Sequence, residues 1–407
     1  MENKPSFFSS SYINALFLIG ANGFNAAYGF LTFYYCNALG QSDYFASYIS
    51  LISVVGLLAI LVNFGHNFSA TKYIASISED NQQRNAFMSR VMTIKMGLLV
   101  LAFGIYLLVI ATVFPEFNNG HLLTIGFLPI LYEAFFPYWF FNGIGENSKT
   151  LLFNVLPKSL IVVYLVFVQP DIERALTVIS LSSGLSALTA WIYIFCKKDF
   201  LFQRVKLKAV WHDIQFATLS FLTIDAIDLP LKLSKLISAT FFGPANIIAF
   251  DLYEKFFRLF RLVMTSANQS LIPNIFKDRL SNYHKKYLYF FIAVSVIAIV
   301  VLTSSQGVII GFFNINPYSN VLVFNMLLFT LPLYACTEFL GNGCLLFSVQ
   351  KKNYSKFLYL FIGFFLVGFF VLKQFVQVSE ALIYAYLFFE LLLAIYVTYT
   401  ASKLMDE

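Results

Sequence analysis

Long apolar stretches, separated by short polar segments, dominate the hydrophobic pattern of this chain. Each stretch is long enough for an α-helix to cross the apolar part of a bilayer, which takes about 20 residues. The pattern therefore predicts an all-α polytopic membrane protein with twelve transmembrane helices. The predicted spans are 11–36, 44–65, 91–114, 121–142, 150–169, 175–196, 214–240, 246–272, 286–312, 319–347, 355–373 and 380–402.

The composition supports this interpretation. Of the 407 residues, 59% are hydrophobic and only 12% are charged, whereas soluble domains carry roughly 25% charged residues. The linkers between the predicted spans are short, and none is long enough to form a soluble domain.

Lysine and arginine are concentrated in alternate linkers. With the N-terminus placed in the cytoplasm, eighteen of them lie on the inner side, whereas only Arg174 and Lys373 lie on the outer side. Cytoplasmic loops carry such an excess of positive charge, so both termini are predicted to be cytoplasmic. The net charge of +6 follows from this asymmetry, and it gives no reason to expect a nucleic-acid partner.

A basic linker at 197–213 divides the chain into two predicted lobes of six helices each, 1–196 and 214–407. Weak internal similarity supports a duplication, since LGQSDYFA at 39–46 resembles FGPANIIA at 242–249. Six is an even number, so the two halves share one orientation, as in parallel repeats related by an axis along the membrane normal.

Spans seven and eight carry charges where lipid tails would be expected. Four charges in each span follow the spacing i, i+3, i+7 and i+10, which places them on one helical face. The two sets are Asp225, Asp228, Lys232 and Lys235, and Asp251, Glu254, Arg258 and Arg261. If the two spans form an antiparallel hairpin, each charged residue of one span lies at the same membrane depth as a residue of opposite charge on the other. The predicted pairs are Lys235 with Asp251, Lys232 with Glu254, Asp228 with Arg258, and Asp225 with Arg261.

These charges cannot face lipid, because each would cost about 2.5–3.5 kcal/mol at the bilayer centre. Two interpretations stay open. The stripes form an interhelical ion-pair ladder that fixes the register, or they line a wet cavity whose cations bind an anionic substrate. Lys255 has no depth-matched acid, so it is expected to be the free cation.

Other polar residues also fall inside predicted spans. Asn22 and Asn25 belong to a polar stripe on the first span, which either packs against a neighbouring helix or lines a hydrophilic interior. Glu133 and Glu338 occupy equivalent places in spans four and ten. Each is either a neutral, hydrogen-bonded carboxyl or a group that couples transport to H⁺ or Na⁺.

No constellation of catalytic residues emerges from the sequence. The cysteines and histidines show no metal-ligand spacing, so we expect neither a metal site nor a cofactor. The segment GIGENSK at 143–149 is not a phosphate-binding loop, since no strand precedes it. The chain is therefore not expected to be an enzyme.

Three segments resemble a known family. They are NFGHNFSATKYIA at 63–75, FPYWFFNGIGE at 136–146, and YEKFFRLFRLVMTSANQSLIPNIFK at 253–277. In order and spacing they are similar to segments of the bacterial lipid-linked oligosaccharide flippases, the Wzx-type O-antigen transporters. These proteins belong to the multidrug/oligosaccharidyl-lipid/polysaccharide exporter superfamily.

The resemblance implies two six-helix lobes around a central cavity in the bacterial inner membrane. It implies that an oligosaccharide on undecaprenyl pyrophosphate moves from the cytoplasmic to the periplasmic leaflet. Membrane lipids and the polysaccharide polymerase machinery would be its further partners. The resemblance also implies that the cations of a recurring motif, here Glu254, Lys255 and Arg258, attract the pyrophosphate. From the charges and the polar stripe themselves, the residues expected to bind the substrate are Lys255, Arg258, Arg261, Lys232 and Lys235, together with Asn22 and Asn25. Span seven departs from the family, because its charges are more numerous than usual.

Two rival functions remain. A multidrug-type cation antiporter would need an acidic cavity, and the seven cations and seven acids within the predicted spans do not exclude one. A membrane-embedded polysaccharide enzyme, such as an O-antigen polymerase, would need a large periplasmic loop for its catalytic residues. Every predicted outside loop is short, which disfavours the enzyme.

Overall fold

The structure is a computed structural model of the chain. It describes residues 7–40, 42–77, 80–113, 120–197, 200–222, 225–241, 244–277, 281–313, 324–325, 328–342, 345 and 351–406. Within these ranges all regular secondary structure is helical, as the hydrophobic pattern predicts.

The chain forms two compact units. The first comprises Met1–Leu39 and Leu51–Asp225, and the second comprises Gly40–Ser50 and Ala226–Glu407. The division into two six-helix lobes at 197–213 stays a prediction.

The first unit contains most of the long, regular helices. One of them, α2, begins in the residues assigned to the second unit and ends in the first. The helices are α1 (Phe7–Ala38), α2 (Ser42–Asn63), α3 (His66–Ser76), α4 (Asn81–Val113), α5 (Gly120–Phe135), α6 (Tyr138–Gly143), α7 (Asn147–Val168), α8 (Ile172–Cys196) and α9 (Leu207–Phe221).

The second unit is more irregular. A 3₁₀ turn lies at the boundary with the first unit, and among the described residues a π-helical turn follows the short helix Leu331–Cys336. The elements are the 3₁₀ turn (Asp225–Asp228), α10 (Leu229–Phe241), α11 (Pro244–Lys277), α12 (Ser281–Ser304), α13 (Gln306–Phe312), α14 (Leu331–Cys336), the π turn (Thr337–Asn342), α15 (Lys351–Leu372) and α16 (Val378–Asp406).

Seven helical segments among the described residues are long and apolar enough to cross a membrane. They coincide with predicted spans two to six, eleven and twelve. The segments are Ser42–Ser76, Asn81–Val113, Leu123–Gly143, Asn147–Val168, Ile172–Cys196, Asn353–Leu372 and Val378–Lys403. A bent pair, Leu288–Ser304 with Gln306–Phe312, forms an eighth if it counts as one span. The total of twelve stays a prediction, and predicted span ten lies partly outside the described residues.

The prediction of one continuous helix over 214–240 is wrong. Helix α9 ends at Phe221, and the chain resumes as the 3₁₀ turn before α10 begins at Leu229. Pro230 at the second position of α10 is compatible with this start, because the first turn of a helix needs no N–H from that residue. The negative charge of the adjacent Asp228 carboxylate interacts favourably with the positive N-terminal end of the helix dipole.

The aromatic segment at 136–146 forms the core of the first unit. Trp139, Phe140 and Phe141 are fully buried among side chains of α4 and α8, including Phe87 and Trp191. The Trp191 indole N–H donates a hydrogen bond to the Phe135 carbonyl. This segment, which carries part of the family resemblance, therefore stabilises the helix packing of the first unit.

The predicted basic linker includes the start of a helix that packs on the first unit. Gly65 adopts a left-handed conformation (φ 72°), and a Cβ at this position would lie 2.5 Å from the backbone nitrogen of Phe221. Only glycine allows both the conformation and the close approach. The Arg90 guanidinium also forms an ion pair with Asp213 of α9. Helix α9 is thus fixed to α3 and α4.

Candidate functional site

A cluster of charged side chains joins the start of α10 to the middle of α11. We call it the charge cluster, and its described members are Asp228, Lys232, Lys235, Asp251, Glu254, Lys255, Arg258 and Arg261. The side chain of Asp225, which the sequence places in the same ladder, lies outside the described side chains. All the described members belong to the second unit.

Lys235 lies at the centre of the cluster. Its ammonium forms an ion pair with Asp251, and it lies 3.1 Å from a carboxylate oxygen of Glu254. Asp251 is the partner that the depth match predicts, whereas Lys232 was expected to pair with Glu254. Lys235 therefore connects α10 to two acids that lie one turn apart on α11.

Both acids also accept from cations on their own helix. Lys255 forms an ion pair with Asp251, and Arg258 Nε donates to Glu254 Oε1 at 2.7 Å. These are i, i+4 pairs, in which the two side chains lie on the same face of the helix. The expectation that Lys255 is the free cation is wrong, because only depth matches across the hairpin were considered.

Arg261 closes the other end of the cluster. Its Nη2 donates to Asp228 Oδ1 at 2.6 Å, so Asp228 pairs with Arg261 rather than with the expected Arg258. The Arg261 guanidinium carbon also lies 4.3 Å from the centre of the Tyr334 ring. The shift of partner follows from the 3₁₀ turn, which places Asp228 before α10 rather than within a continuous helix.

Lys232 is the cation that the pairing leaves over. Within the described part of the chain it makes no ion pair or hydrogen bond. It is only partly buried, and it interacts electrostatically with Arg258, Glu254 and Asp228. The role that the sequence analysis gave to Lys255 therefore belongs to Lys232.

The α11 part of the cluster is positive towards its exposed side, whereas Asp228 at the start of α10 is an exposed acid, with 56% of its side chain exposed. The described members of the cluster comprise five cations and three acids. The Asp251 and Glu254 side chains are 4% and 2% exposed, whereas Arg258 and Lys255 on the same helix are 42% and 26% exposed. The carboxylates of α11 lie at the bottom of the cluster with the cations above them. Such an arrangement attracts anions.

The first unit holds a buried cation of a different kind. Lys158 Nζ on α7 donates to the amide oxygens of Asn25, at 2.5 Å, and Asn154, at 3.3 Å. The rings of Tyr28 and Tyr132 lie 5.7 and 5.5 Å from it. Within the described residues no carboxylate lies within ion-pairing distance of Lys158. Sequence reasoning missed this site, although Asn154 and Lys158 follow the i, i+4 spacing.

The remaining predicted site residues do not join these clusters. Asn22 lies one turn before Asn25 and is partly buried. The backbone carbonyl of Glu133 accepts from Lys95 at 2.9 Å, and its side chain interacts electrostatically with Lys158. Glu338 is buried in the second unit and accepts a hydrogen bond from Tyr334 at 2.8 Å. Among the described residues no group of three or more His, Cys, Asp and Glu side chains could hold a metal ion.

A buried acid that the sequence analysis counted among the seven acids of the spans, but did not choose as a candidate, lies on α16. Glu390 is 4% exposed, and its Oε1 accepts from Tyr386 at 2.9 Å. The signal was present in the sequence, since Tyr386 and Glu390 repeat the Tyr-x-x-x-Glu spacing of Tyr334 and Glu338.

Comparisons with known proteins place these sites in a family context. Residues 12–279 match the family described as "Polysaccharide biosynthesis protein". A relative named "Putative O-antigen transporter" from Escherichia coli (strain K12) is 21% identical over 358 residues, which cover 85% of this chain and 86% of that protein. A relative of the same name from Shigella dysenteriae is 21% identical over 296 residues, covering 69% and 73%.

Solved transporters share the fold. An inward-facing multidrug resistance MATE family transporter of the MOP superfamily aligns with a TM-score of 0.70 and 13% identity, covering 92% of this chain and 94% of that one. A MOP superfamily transporter from Pyrococcus furiosus, described as having a binding pocket of reverse polarity, aligns with a TM-score of 0.58 and 12% identity over 96% and 94%. These likenesses establish a transporter fold and leave the substrate to other evidence.

Proposed function

The chain belongs to the polysaccharide biosynthesis protein family, and from this membership we infer that it is a flippase for lipid-linked oligosaccharides. In this proposal an oligosaccharide repeat unit on undecaprenyl pyrophosphate moves from the cytoplasmic to the periplasmic leaflet of the bacterial inner membrane. Both chain termini would lie in the cytoplasm. The relatives named as O-antigen transporters support the substrate class.

The chemistry of such a substrate defines what the protein must provide. The sugars and the pyrophosphate are too polar for the bilayer interior, where an unpartnered polar group costs several kcal/mol. The prenyl tail, by contrast, is apolar and is stable in the bilayer interior. A flippase therefore needs a hydrated, polar surface for the head group while the tail stays in the bilayer.

The observation that carries the proposal is the positive surplus of the charge cluster. Pyrophosphate is an anion, and ammonium and guanidinium groups bind it through charge-assisted hydrogen bonds. Arg258 presents a planar set of donors suited to phosphate oxygens and is 42% exposed. Lys232 has no competing carboxylate bond among the described residues. We assign these two side chains the first contacts with the pyrophosphate, with Lys255 beside them.

The ion pairs of the cluster stabilise the protein when no substrate is bound. Five cations of like sign would repel one another without counter-charges, and Asp251 and Glu254 supply these from beneath. When pyrophosphate arrives, its oxygens share Lys255 and Arg258 with the two acids. Lys235 stays on its acids, because it is bonded to both. The ladder and the binding site are thus two functions of the same residues.

Transport itself would follow alternating access, in which the site opens to each side of the membrane in turn. Glu133 and Glu338 were the sequence-based candidates for coupling this cycle to an ion gradient. A cation antiporter is the rival function, and the cluster disfavours it, because five of its eight described charges are positive and Asp228 is the one acid among the eight that is exposed.

Deleting the gene in its own bacterium tests the proposed function. We expect surface polysaccharide to fall, and undecaprenyl-linked oligosaccharide to accumulate on the cytoplasmic side. Complementation with Arg258→Glu or Lys232→Glu should restore less than a tenth of the wild-type polysaccharide at equal protein level. Lys356→Glu, an exposed lysine of the same unit outside the cluster, is the matched control and should complement fully.

Normal surface polysaccharide and no lipid-linked intermediate in the deletion strain would contradict the flippase. Full complementation by both Arg258→Glu and Lys232→Glu would leave the flippase standing, and would remove the charge cluster as its binding site.

A further inference from the structure

We propose that Glu390 is a proton-binding site that couples transport to a proton gradient, and that it acts by competing with Asp228 for Arg261. This inference rests on the proposed function and adds the coupling group to it. It replaces Glu133 and Glu338, the two candidates chosen from sequence, by a third carboxyl.

The Glu390 carboxyl is only half satisfied by hydrogen bonds. Oε1 accepts from the Tyr386 hydroxyl at 2.9 Å, whereas Oε2 is buried and has no hydrogen-bond partner within the described structure. A buried carboxylate oxygen without a partner is costly, and binding a proton there removes the charge that creates the cost. The geometry therefore leaves one oxygen available to a proton.

Arg261 links this carboxyl to the charge cluster. Its guanidinium donates to Asp228 at 2.6 Å, and it also interacts electrostatically with Glu390. The Arg261 side chain is 10% exposed, whereas that of Asp228 is 56% exposed. The buried Arg261 thus forms an ion pair with a half-exposed acid at the start of α10 and interacts at longer range with a buried acid on α16.

The titratable groups near Glu390 lie on several elements of the second unit. Tyr386 lies one turn earlier on α16, and the hydroxyl of Tyr354 on α15 is buried without a hydrogen-bond partner among the described residues. The charged and titratable groups that interact with it, or lie beside Arg261, are Arg261, Asp228, Tyr386, Tyr354, Tyr334 and Glu338. Arg261 is the only cation in this set.

The proposed step moves one proton and no electrons. A proton from water on one side forms an O–H bond at Glu390 Oε2, and the carboxyl becomes neutral. Arg261 then has a single negative partner, Asp228, and holds the 3₁₀ turn against α11. When the O–H bond breaks and the proton leaves to water on the other side, the carboxylate draws Arg261 towards α16. The Asp228 contact weakens, and the start of α10, which carries Lys232, is released.

Glu338 provides a matched control within the same unit. It is also buried and also accepts a hydrogen bond from a tyrosine four residues earlier, at 2.8 Å. Glu390→Gln and Glu338→Gln are both isosteric and each removes one buried carboxyl. A general loss of packing or hydrogen bonding should affect the two variants alike, whereas loss of the coupling group affects Glu390→Gln alone.

We expect Glu390→Gln to restore less than a tenth of the wild-type surface polysaccharide in the deletion strain, and what remains should no longer respond to an uncoupler. Glu338→Gln should retain at least half of the wild-type level and its sensitivity to the uncoupler. Both variants should reach the membrane in wild-type amount.

A second readout does not depend on transport. Infrared difference spectra of the purified protein in lipid nanodiscs, recorded between acidic and alkaline buffer, should contain a carbonyl band from the protonated Glu390 in addition to the bands of the chain's other carboxyl groups. This band should be missing from the spectrum of Glu390→Gln and present in that of Glu338→Gln. In Asp228→Asn it should disappear at a lower pH than in wild type, because Arg261 is then free to stabilise the ionised Glu390.

Three results would overturn the proposal: an unchanged band in Glu390→Gln, a band in Asp228→Asn that follows the wild-type titration, or full, uncoupler-sensitive complementation by Glu390→Gln. None of these would touch the flippase itself, which fails only if the gene deletion leaves surface polysaccharide and its lipid-linked precursor unchanged.

Discussion

Lys158 in the first unit and Lys235 in the second are both 8% exposed, yet their surroundings are opposite. Lys158 is held by the amide oxygens of Asn25 and Asn154 and by two tyrosine rings. Lys235 is held by two carboxylates, Asp251 and Glu254. Lys158 forms no ion pair among the described residues, whereas Lys235 forms two.

The difference shows that burial alone does not reveal what a charge does. A doubly paired lysine is part of the framework, since its removal takes one of the two cations from each of two buried acids. Removing a lysine that is held by neutral groups breaks no ion pair. The two lysines therefore offer a matched test of framework against function, at the same degree of exposure.

The largest effect is expected for Lys235→Met. The substitution leaves Asp251 and Glu254 buried with fewer counter-charges, and breaking a buried ion pair in this way costs about 3–5 kcal/mol. We expect the free energy of unfolding in lipid nanodiscs to fall by this amount. A change below about 1 kcal/mol would show that the pairs contribute no net stability.

Asn25→Asp should make the surroundings of Lys158 resemble those of Lys235. The substitution is isosteric and gives Lys158 an anionic acceptor, and a hydrogen bond to a charged group contributes about 1.5–3 kcal/mol. We expect the unfolding temperature to rise. A fall would mean that Lys158 is already neutral or that the amide orientation is essential. Asn22→Asp, one turn earlier on the same helix, is the control and should not stabilise the protein.

Lys158→Met should have a smaller effect on stability, a loss of about 1 kcal/mol, because Lys158 forms no ion pair among the described residues and its removal costs only its hydrogen bonds to two neutral amides. The comparison with Lys235→Met is made in the same assay. Equal losses for the two variants would refute the distinction between a framework lysine and a lysine held by neutral groups.

The smallest change in stability is expected for Lys232→Met, within about 0.5 kcal/mol, as is usual for a substitution away from buried partners. Complementation should nevertheless fall, since Lys232 is assigned to the substrate. A stability loss as large as that of Lys235→Met would show that Lys232 has a structural partner and would remove it from the binding site.

The sequence predicts the architecture better than the pairing. Hydropathy predicts the helical class and the positions of seven spans, because long apolar stretches have few alternatives in a bilayer. The charges of spans seven and eight do face one another, and Lys235 meets Asp251 as expected. The other partners differ from the predicted ones. The prediction from matching depths assumes two continuous helices, but the first of them is interrupted between Phe221 and Leu229.

Contacts between helices that are distant along the chain could not be predicted from a single sequence. Lys158 bonds to Asn25, 133 positions away in the sequence, and Arg261 interacts electrostatically with Glu390, 129 positions away, only in the folded unit. The orphaned oxygen of Glu390 depends on which neighbours fail to reach it, and no local spacing encodes that. The repeated Tyr-x-x-x-Glu spacing could have pointed to Glu390, but it does not distinguish Glu390 from Glu338.

The central claim is that the charge cluster binds the pyrophosphate of a lipid-linked substrate. The most direct test measures binding of undecaprenyl pyrophosphate to the purified protein in lipid nanodiscs, with undecaprenol as the uncharged control. We expect salt-sensitive binding of the pyrophosphate that Arg258→Glu combined with Lys232→Glu weakens at least tenfold, and that Lys356→Glu leaves unchanged. Equal affinity in the double variant and in wild type, or equal binding of undecaprenol, would contradict the account.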